Sequence, residues 1–273
     1  MQNNMGLPSP KLSPIVAAKN NITLYYPPAW KSKASLAKAI SKALSKDSGL
    51  NIRPRIAKSY PQILEAFIQT KPVLVYVGSF VQAVLYARGL STPIAQSING
   101  SEFYNSVLIA PKNAGNDPVE VVADAGHAIS YTKGSSSGES GAKAASNGKA
   151  TIGTNSHYAA VNLVKIGKAK AAFVKNLWWQ ANKGKYSNMK QIHYPGVSDH
   201  RHPDYVLSAN KATSSKDIIK ITHAMKKNGA VLNAKSVVTF EPKLLKPTLD
   251  LMKKGKIDPK IYSWNPLSGN KNR

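Results

Sequence analysis

Apolar and polar positions follow two rhythms along this chain, one with a period near 3.6 residues and one of short unbroken apolar runs. Residues 22–26 form a β-rich run, and across 35–45 Leu36, Ile40 and Leu44 recur on one helical stripe with Lys38 and Lys42 off it. The pair then repeats. Residues 51–58 read as a strand, 61–70 place Ile63, Leu64, Phe67 and Ile68 on one helix face, and 72–77 is a continuous apolar strand. Such βαβ alternation predicts α/β architecture with a mainly parallel sheet. A helix over 78–88 and strands over 93–98 and 106–111 follow. A second series then begins, with a helix over 119–125, a strand over 128–132, a helix over 158–166 and strands over 171–175 and 191–194. A strand at 205–209 and helices at 215–227 and 242–254 finish the pattern. Residues 133–154, nearly all Gly, Ser, Ala, Lys, Asn or Thr, interrupt it and read as a flexible loop or a loop with a weak helix.

Two βα series imply two lobes. The expected first lobe spans 21–110 and resumes at 205–265, the second spans 111–204, and two crossing strands join them. Residues 1–20, with three prolines, and the polar stretch 266–273 read as arms. A chain of 273 residues is long enough for two modest cores. No run of about 18 apolar residues predicts a transmembrane helix. With no cysteine there are no disulfides, thiolate catalysis or Cys-based zinc sites, and the first 21 residues do not have the charged start and apolar core of an intact signal peptide. A mature exported chain and a cytoplasmic one both fit that beginning.

Charge changes the picture of partners. Lys+Arg number 38 against 13 Asp+Glu, a net charge of +25, and only five of the basic residues are arginine. The resulting field attracts anions. Scattered lysines with few arginines read as a solvated surface in preference to a nucleic-acid groove, and docking to an acidic protein or an anionic membrane stays open.

Candidate chemistry concentrates after the strand at 128–132. Gly134, Ser135, Ser136, Ser137 and Gly138 offer hydroxyls and backbone N–H groups at a strand-to-helix turn, which suits an anion, although the same residues also make an ordinary Ser/Gly linker. The Gly-Lys-Ser/Thr ending of a P-loop is missing. His157, at the expected start of a helix, can donate to the same anion or serve structure alone. His200, His202 and Asp204 read either as metal ligands or, better, as a hinge loop, because their spacing matches no structural zinc site. Trp178 and Trp179 read as pocket-lining or core residues. Tyr25 and Tyr26 end the first strand before Pro27-Pro28, where open α/β sheets place ligands, so one of them is expected at the cleft and the other in the core. Common hydrolase, metalloprotease and dinucleotide motifs do not occur, so no enzyme and no cofactor is expected.

The order of these segments resembles the phosphonate and phosphite (PhnD-like) substrate-binding proteins of ABC transporters, from about residue 22 to 257. Tyr60 to Ala66 resembles that family's Tyr-x-x-Leu-Ile-Glu-Ala helix start, and Gly78 to Ala87 its Gly-Pro-x-x-Tyr-x-x-Ala element. Ser135 to Gly138 is similar to its Ser-Thr-Ser-Gly anion loop. Ser156-His157 through Val161, with Gly167 to Ala172 after it, resembles its Ser-His-Asp-Ala-x-x-x-Val and Gly-x-x-Asp-Ala-Ala pair, and Pro203-Asp204 its Ile-Pro-Asp return to the first lobe. The resemblance implies a two-lobed periplasmic-binding-protein fold of type II and a non-enzymatic, extracytoplasmic role with an ABC permease as partner. It implies an oxyanion (phosphonate, phosphite or phosphate-like) held by Ser135, Ser136, Ser137, His157 and Tyr60. Gln82 stands where the family has a ligand-facing Tyr, Lys170 replaces its usual Asp, and Asn176 falls near an acidic position that meets ligand amines. A simple oxyanion is therefore expected over an aminoalkyl phosphonate. Only 19 residues separate Ser137 from His157, and they are poor helix formers, so the anion loop is expected without its supporting helix. The alternatives are a binding-protein relative recruited as a basic subunit that docks on an acidic protein, and non-specific polyanion or nucleic-acid binding.

Overall fold

Ile22, Leu24 and Tyr26 leave strand β1 (Asn21–Tyr26) on one side and Tyr25 on the other, and all four are buried, so both faces of its sheet are covered. The computed structural model describes residues 21–264, and the expected arms at 1–20 and 266–273 lie outside them. A 3₁₀ turn at Pro28–Lys33 leads into α1 (Ala34–Ser48), whose Ile40 and Leu44 pack on the first side of the sheet. Gly49, at φ +71°, ends α1 in the left-handed conformation and donates its N–H to Ser45 O. β2 (Asn51–Ile56) sits at the sheet edge, where Pro54 costs no ladder hydrogen bond. α2 (Tyr60–Phe67) covers the second side, β3 (Val73–Val77) lies in the middle, and α3 (Ser79–Ala87) follows it directly. In β3, Leu74 and Tyr76 join the α1 side while Val73, Val75 and Val77 join the α2 and α3 side. β4 (Ser91–Ile98) completes this run.

The chain then crosses through β5 (Phe103–Tyr104) into a second sheet. This contains β6 (Ser106–Pro111), α4 (Pro118–Ala125), β7 (Ile129–Thr132), a π-helical turn at Ser136–Ser140 continuing as α5 (Gly141–Ala145), and β8 (Ile152–Thr154). α6 (His157–Lys165), β9 (Ala171–Lys175), α7 (Asn176–Asn182) and β10 (Met189–Ile192) finish it. The alternation is again two-sided: Leu108 and Phe173 pack with α4 and α5, Val107, Ile109 and Val174 with α6 and α7. The chain returns through β11 (His202–Pro203), which pairs antiparallel with β5, and then adds β12 (Val206–Asn210), α8 (Ser215–Lys227), β13 (Ser236–Thr239) and α9 (Lys246–Lys254) to the first half.

The strand orders are β13-β4-β12-β3-β1-β2 and β10-β6-β9-β7-β8. In the first sheet β1 to β4 run one way against β12 and β13, and in the second only β6 opposes the rest. Between the sheets, β5 and β11 form a two-stranded ladder. The expected helix over 242–254 is a 3₁₀ turn followed by α9, because Pro247, with no N–H to give, is accepted only in a helix's first turn. α9 packs on both halves, with Leu251 in the core of the second and Met252 against Phe80 and Val84 of the first.

Two buried polar residues fix this frame. Gln82, fully buried in α3, donates from Nε2 to Val206 O (2.7 Å) and accepts from Ser208 Oγ (2.5 Å). Those two partners straddle a register shift in β12 between Leu207 and Ser208, so Gln82 satisfies groups that an irregular ladder would strand. Its place among ligand-facing residues is thereby corrected: no face of Gln82 reaches solvent. His202, in β11, is also fully buried, with Nδ1 2.9 Å from Thr248 Oγ1 of α9 and Nε2 without a partner. Burial, and secondarily the charge of His200, pushes its pKa down to about 3.

Gln82→Leu is expected to lower stability by about 2–4 kcal/mol, measured by urea unfolding, since it leaves a carbonyl and a hydroxyl buried without partners. For His202, the unfolded chain takes up a proton near pH 6.5 and the folded chain only near pH 3. Between those values the unfolded state binds more protons, so this contribution to stability is complete above pH 6.5 and is lost as pH falls, at up to about 1.4 kcal/mol per pH unit. Urea unfolding between pH 7 and 4.5 should show a slope smaller by about one proton in His202→Gln, whereas an unchanged slope would place the acid sensitivity elsewhere.

Candidate functional site

Four helical starts open onto one cleft between the sheets. Tyr60 begins α2, Ser79 begins α3, Ser136 begins the π-helical turn before α5, and His157 begins α6; all line a cavity of about 630 Å³. Ser59, Ser135 and Ser156 cap three of these starts by accepting from Gln62 N, Gly138 N and Ala159 N. The other first-turn N–H groups of a helix have no partner within it, and each helix start carries the positive end of its dipole.

The loop that carries Ser136 is braced from within. Ser135 Oγ donates to Thr132 O (3.0 Å) while accepting from Gly138 N (2.9 Å). Glu139 is buried and accepts from Gly134 N (2.7 Å), from Lys143 Nζ (2.8 Å) and from Tyr262 OH (2.6 Å). Its small residues are a packing requirement, since a methyl group at Gly141 would lie 2.1 Å from Ser106 Oγ of β6. Hence residues 136–145 are helical after all, correcting the expectation of an unsupported loop: close approach to the sheet outweighs weak helix propensity. Beyond α9 the chain crosses the cleft's end, where Trp264 stacks on Tyr60 at 5.2 Å and lies against Gly134, and Arg88 donates to Pro259 O and Tyr262 O.

At the floor of the cleft three hydroxyls meet. Ser79 Oγ lies 2.8 Å from Tyr104 OH and 2.7 Å from Ser136 Oγ, joining α3, the β5 crossing strand and the turn at Ser136–Ser140. Each hydroxyl has one proton to give and can also accept, so the chain can be oriented to suit an acceptor oxygen in the cleft. Burial raises the Tyr104 pKa, which keeps its proton in place at any physiological pH. His157 adds a neutral donor: burial, then the nearby Lys175 charge, push its pKa down to about 4. Thr132 Oγ1 lies 3.0 Å from its Nδ1, and a Thr132 hydroxyl donating there places the ring proton on Nε2. The formal charges on the cleft lining are Lys175 and Asp204, paired at 2.7 Å.

Of the residues singled out by sequence, Ser135, Ser136, His157 and Tyr60 come together on this lining. Ser137 is buried behind it, its carbonyl accepting from Ser106 Oγ (2.6 Å). Tyr25 is corrected: with helices on both sheet faces, Tyr25 and Tyr26 are both core, and Tyr25 packs with Ile63, Phe67 and Val75 away from the cleft. Trp178 lines the cleft and Trp179 is buried beneath α7. His202 and Asp204 part ways, one to Thr248 and one to Lys175. Ser79, Tyr104 and Lys175 were not singled out, for they sit at strand and helix ends that only the crossing brings together. Ser79 alone had a local signal, as a hydroxyl directly after an apolar strand and at a helix start.

The profile of a family described as the periplasmic substrate-binding protein of phosphonate ABC transporters matches residues 30–242. No curated protein matches the chain by sequence. Among solved structures, the binding-protein component of a Pseudomonas aeruginosa ABC phosphonate transporter aligns with TM-score 0.65 and 17% identity, over 88% of this chain and 87% of its own. PhnD1 of Prochlorococcus marinus, solved with methylphosphonate, aligns with TM-score 0.66 and 18% identity, over 89% of this chain and 100% of its own. A Xanthomonas citri protein bound to ATP aligns with TM-score 0.70 and 11% identity, over 87% and 97%. The two-sheet frame with its crossing ladder is therefore the periplasmic-binding-protein fold, and with the match spanning most of its length the chain belongs to the phosphonate-type substrate-binding proteins of ABC transporters, a non-enzymatic family.

Proposed function

We propose that this protein captures a small oxyanion (phosphonate, phosphite or phosphate-like) between its two halves, outside the cytoplasm, and presents it to an ABC permease. The observation that carries the reading is the convergence of four helical starts on the Tyr104–Ser79–Ser136 hydroxyl chain. A phosphate-like oxyanion presents several acceptor oxygens and, near neutral pH, at most one or two O–H donors, and this floor offers mainly donors: hydroxyls, helix N–H groups and the neutral imidazole of His157. A cavity of about 630 Å³ is wider than one such anion needs and has room for roughly twenty waters at about 30 Å³ each. Tight capture thus requires the halves to close over the ligand about the β5–β11 ladder, expelling water from donors contributed by both sides. No helix among the described residues is long and apolar enough to cross a membrane.

Titration calorimetry with phosphite, phosphate, methylphosphonate and arsenate is the test. At least one should bind, and Ser136→Ala and His157→Ala should each weaken it at least about tenfold, as expected for losing a hydrogen bond to a charged group. Silence across all four anions would overturn the proposal in favour of a basic subunit that docks on an acidic protein, and binding to random DNA with a steep salt dependence would favour a polyanion binder.

A further inference from the structure

In a chain of net charge +25, the cleft lining carries, among the described residues, a single cation and a single anion, Lys175 and Asp204, and they are bonded to each other. Lys175 ends β9 in the second half, and Asp204 stands between β11 and β12 on the return crossing. Their Nζ–Oδ2 distance is 2.7 Å, and neither side chain is more than 27% exposed. The ammonium also lies 4.3 Å from the centre of the Tyr104 ring, whose hydroxyl belongs to the chain at the cleft floor, and it is near enough to His157 to help lower that pKa. The pair is therefore within one small ligand's length of the donors that would hold an oxyanion.

From this arrangement we infer that Lys175 is a specificity-determining residue, which closes the cleft to oxyanions with a cationic substituent and favours those whose other end is uncharged or anionic. This rests on the reading of the cleft as an oxyanion site. A ligand amine would find its natural partner in Asp204, but that carboxylate is already occupied, and the incoming cation would have to sit beside the ammonium it displaced. A ligand carboxylate meets the opposite situation: it can accept from Lys175 while Asp204 turns towards water. The sequence features expected to disfavour amines act elsewhere. Asn176 Oδ1 accepts from Asn105 N (3.0 Å), and Lys170 Nζ donates to Asp124 O (3.0 Å) on the exposed side of the second half.

The experiment is calorimetry of methylphosphonate, phosphonoacetate and 2-aminoethylphosphonate against the wild-type protein, Lys175→Met and Asp204→Asn, each variant first checked for a native circular dichroism spectrum. The wild type should bind 2-aminoethylphosphonate at least about tenfold more weakly than methylphosphonate. In Lys175→Met that ratio should fall at least about tenfold while phosphonoacetate weakens. Asp204→Asn, which frees the lysine, should tighten phosphonoacetate and keep the discrimination against the amine, so it tests the inference even if Lys175→Met does not fold. Equal wild-type affinity for the amine and methyl ligands, a ratio that a folded Lys175→Met leaves unmoved, or phosphonoacetate bound no more tightly by Asp204→Asn, would overturn the role of Lys175 while leaving the oxyanion site standing. Wild-type binding of none of the three would remove the oxyanion reading and this inference with it.

Discussion

The hydrogen-bonded chain Tyr104–Ser79–Ser136 is the contact on which the rest of the site depends. It is buried, and a buried hydroxyl without a partner is costly, so the start of α3, the crossing strand β5 and the turn at Ser136–Ser140 have to arrive together. Each member is held from behind by its own element. Tyr104 sits in the ladder opposite His202, Ser79 begins a helix whose Gln82 is locked to β12, and Ser136 begins a turn braced by Glu139. The segment after α9 closes the circuit, because Tyr262 bonds to Glu139 while Arg88 at the end of α3 holds the carbonyls of Pro259 and Tyr262. Movement of one half against the other therefore has to pass through a few polar contacts, and these border the place where a ligand would add its own.

Much of the frame was legible because the pattern that encodes it is local. Leu36, Ile40 and Leu44 repeat with the helical period, and β3 is apolar throughout because both of its faces are covered. The short strands β5, β8, β11 and β13 carry no such signal, being two to four residues long and defined only by the partner they meet. Tyr25 was misleading for a related reason: the end of a strand that reads as a cleft edge becomes core once α2 covers it. The segment over 133–154 shows the reverse effect. Its Gly, Ser and Ala composition resembles a linker, yet Gly141 and its neighbours are small because the loop lies hard against β6 and β9.

The candidate site was only half visible for the same physical reason. Ser135, Ser136 and His157 lie at turns that announce helix starts, and these can be read from sequence. Tyr104, Lys175 and Asp204 acquire their meaning when two crossings bring residues about 30 to 100 apart in sequence onto one floor, which no local period records. The charge balance was equally hidden. A net charge of +25 describes the field that draws anions towards the molecule, whereas the cleft itself holds one balanced ion pair and neutral donors.

The most direct test of this account is a crystal structure of the protein grown with methylphosphonate or phosphite. The account places the anion's oxygens within hydrogen-bond distance of Ser136 and His157 on one side and of the Ser79–Tyr104 hydroxyls on the other, with the two halves drawn closer about the β5–β11 ladder. An anion held instead among the outer lysines, with the cleft filled by water and the ladder unchanged, would contradict it.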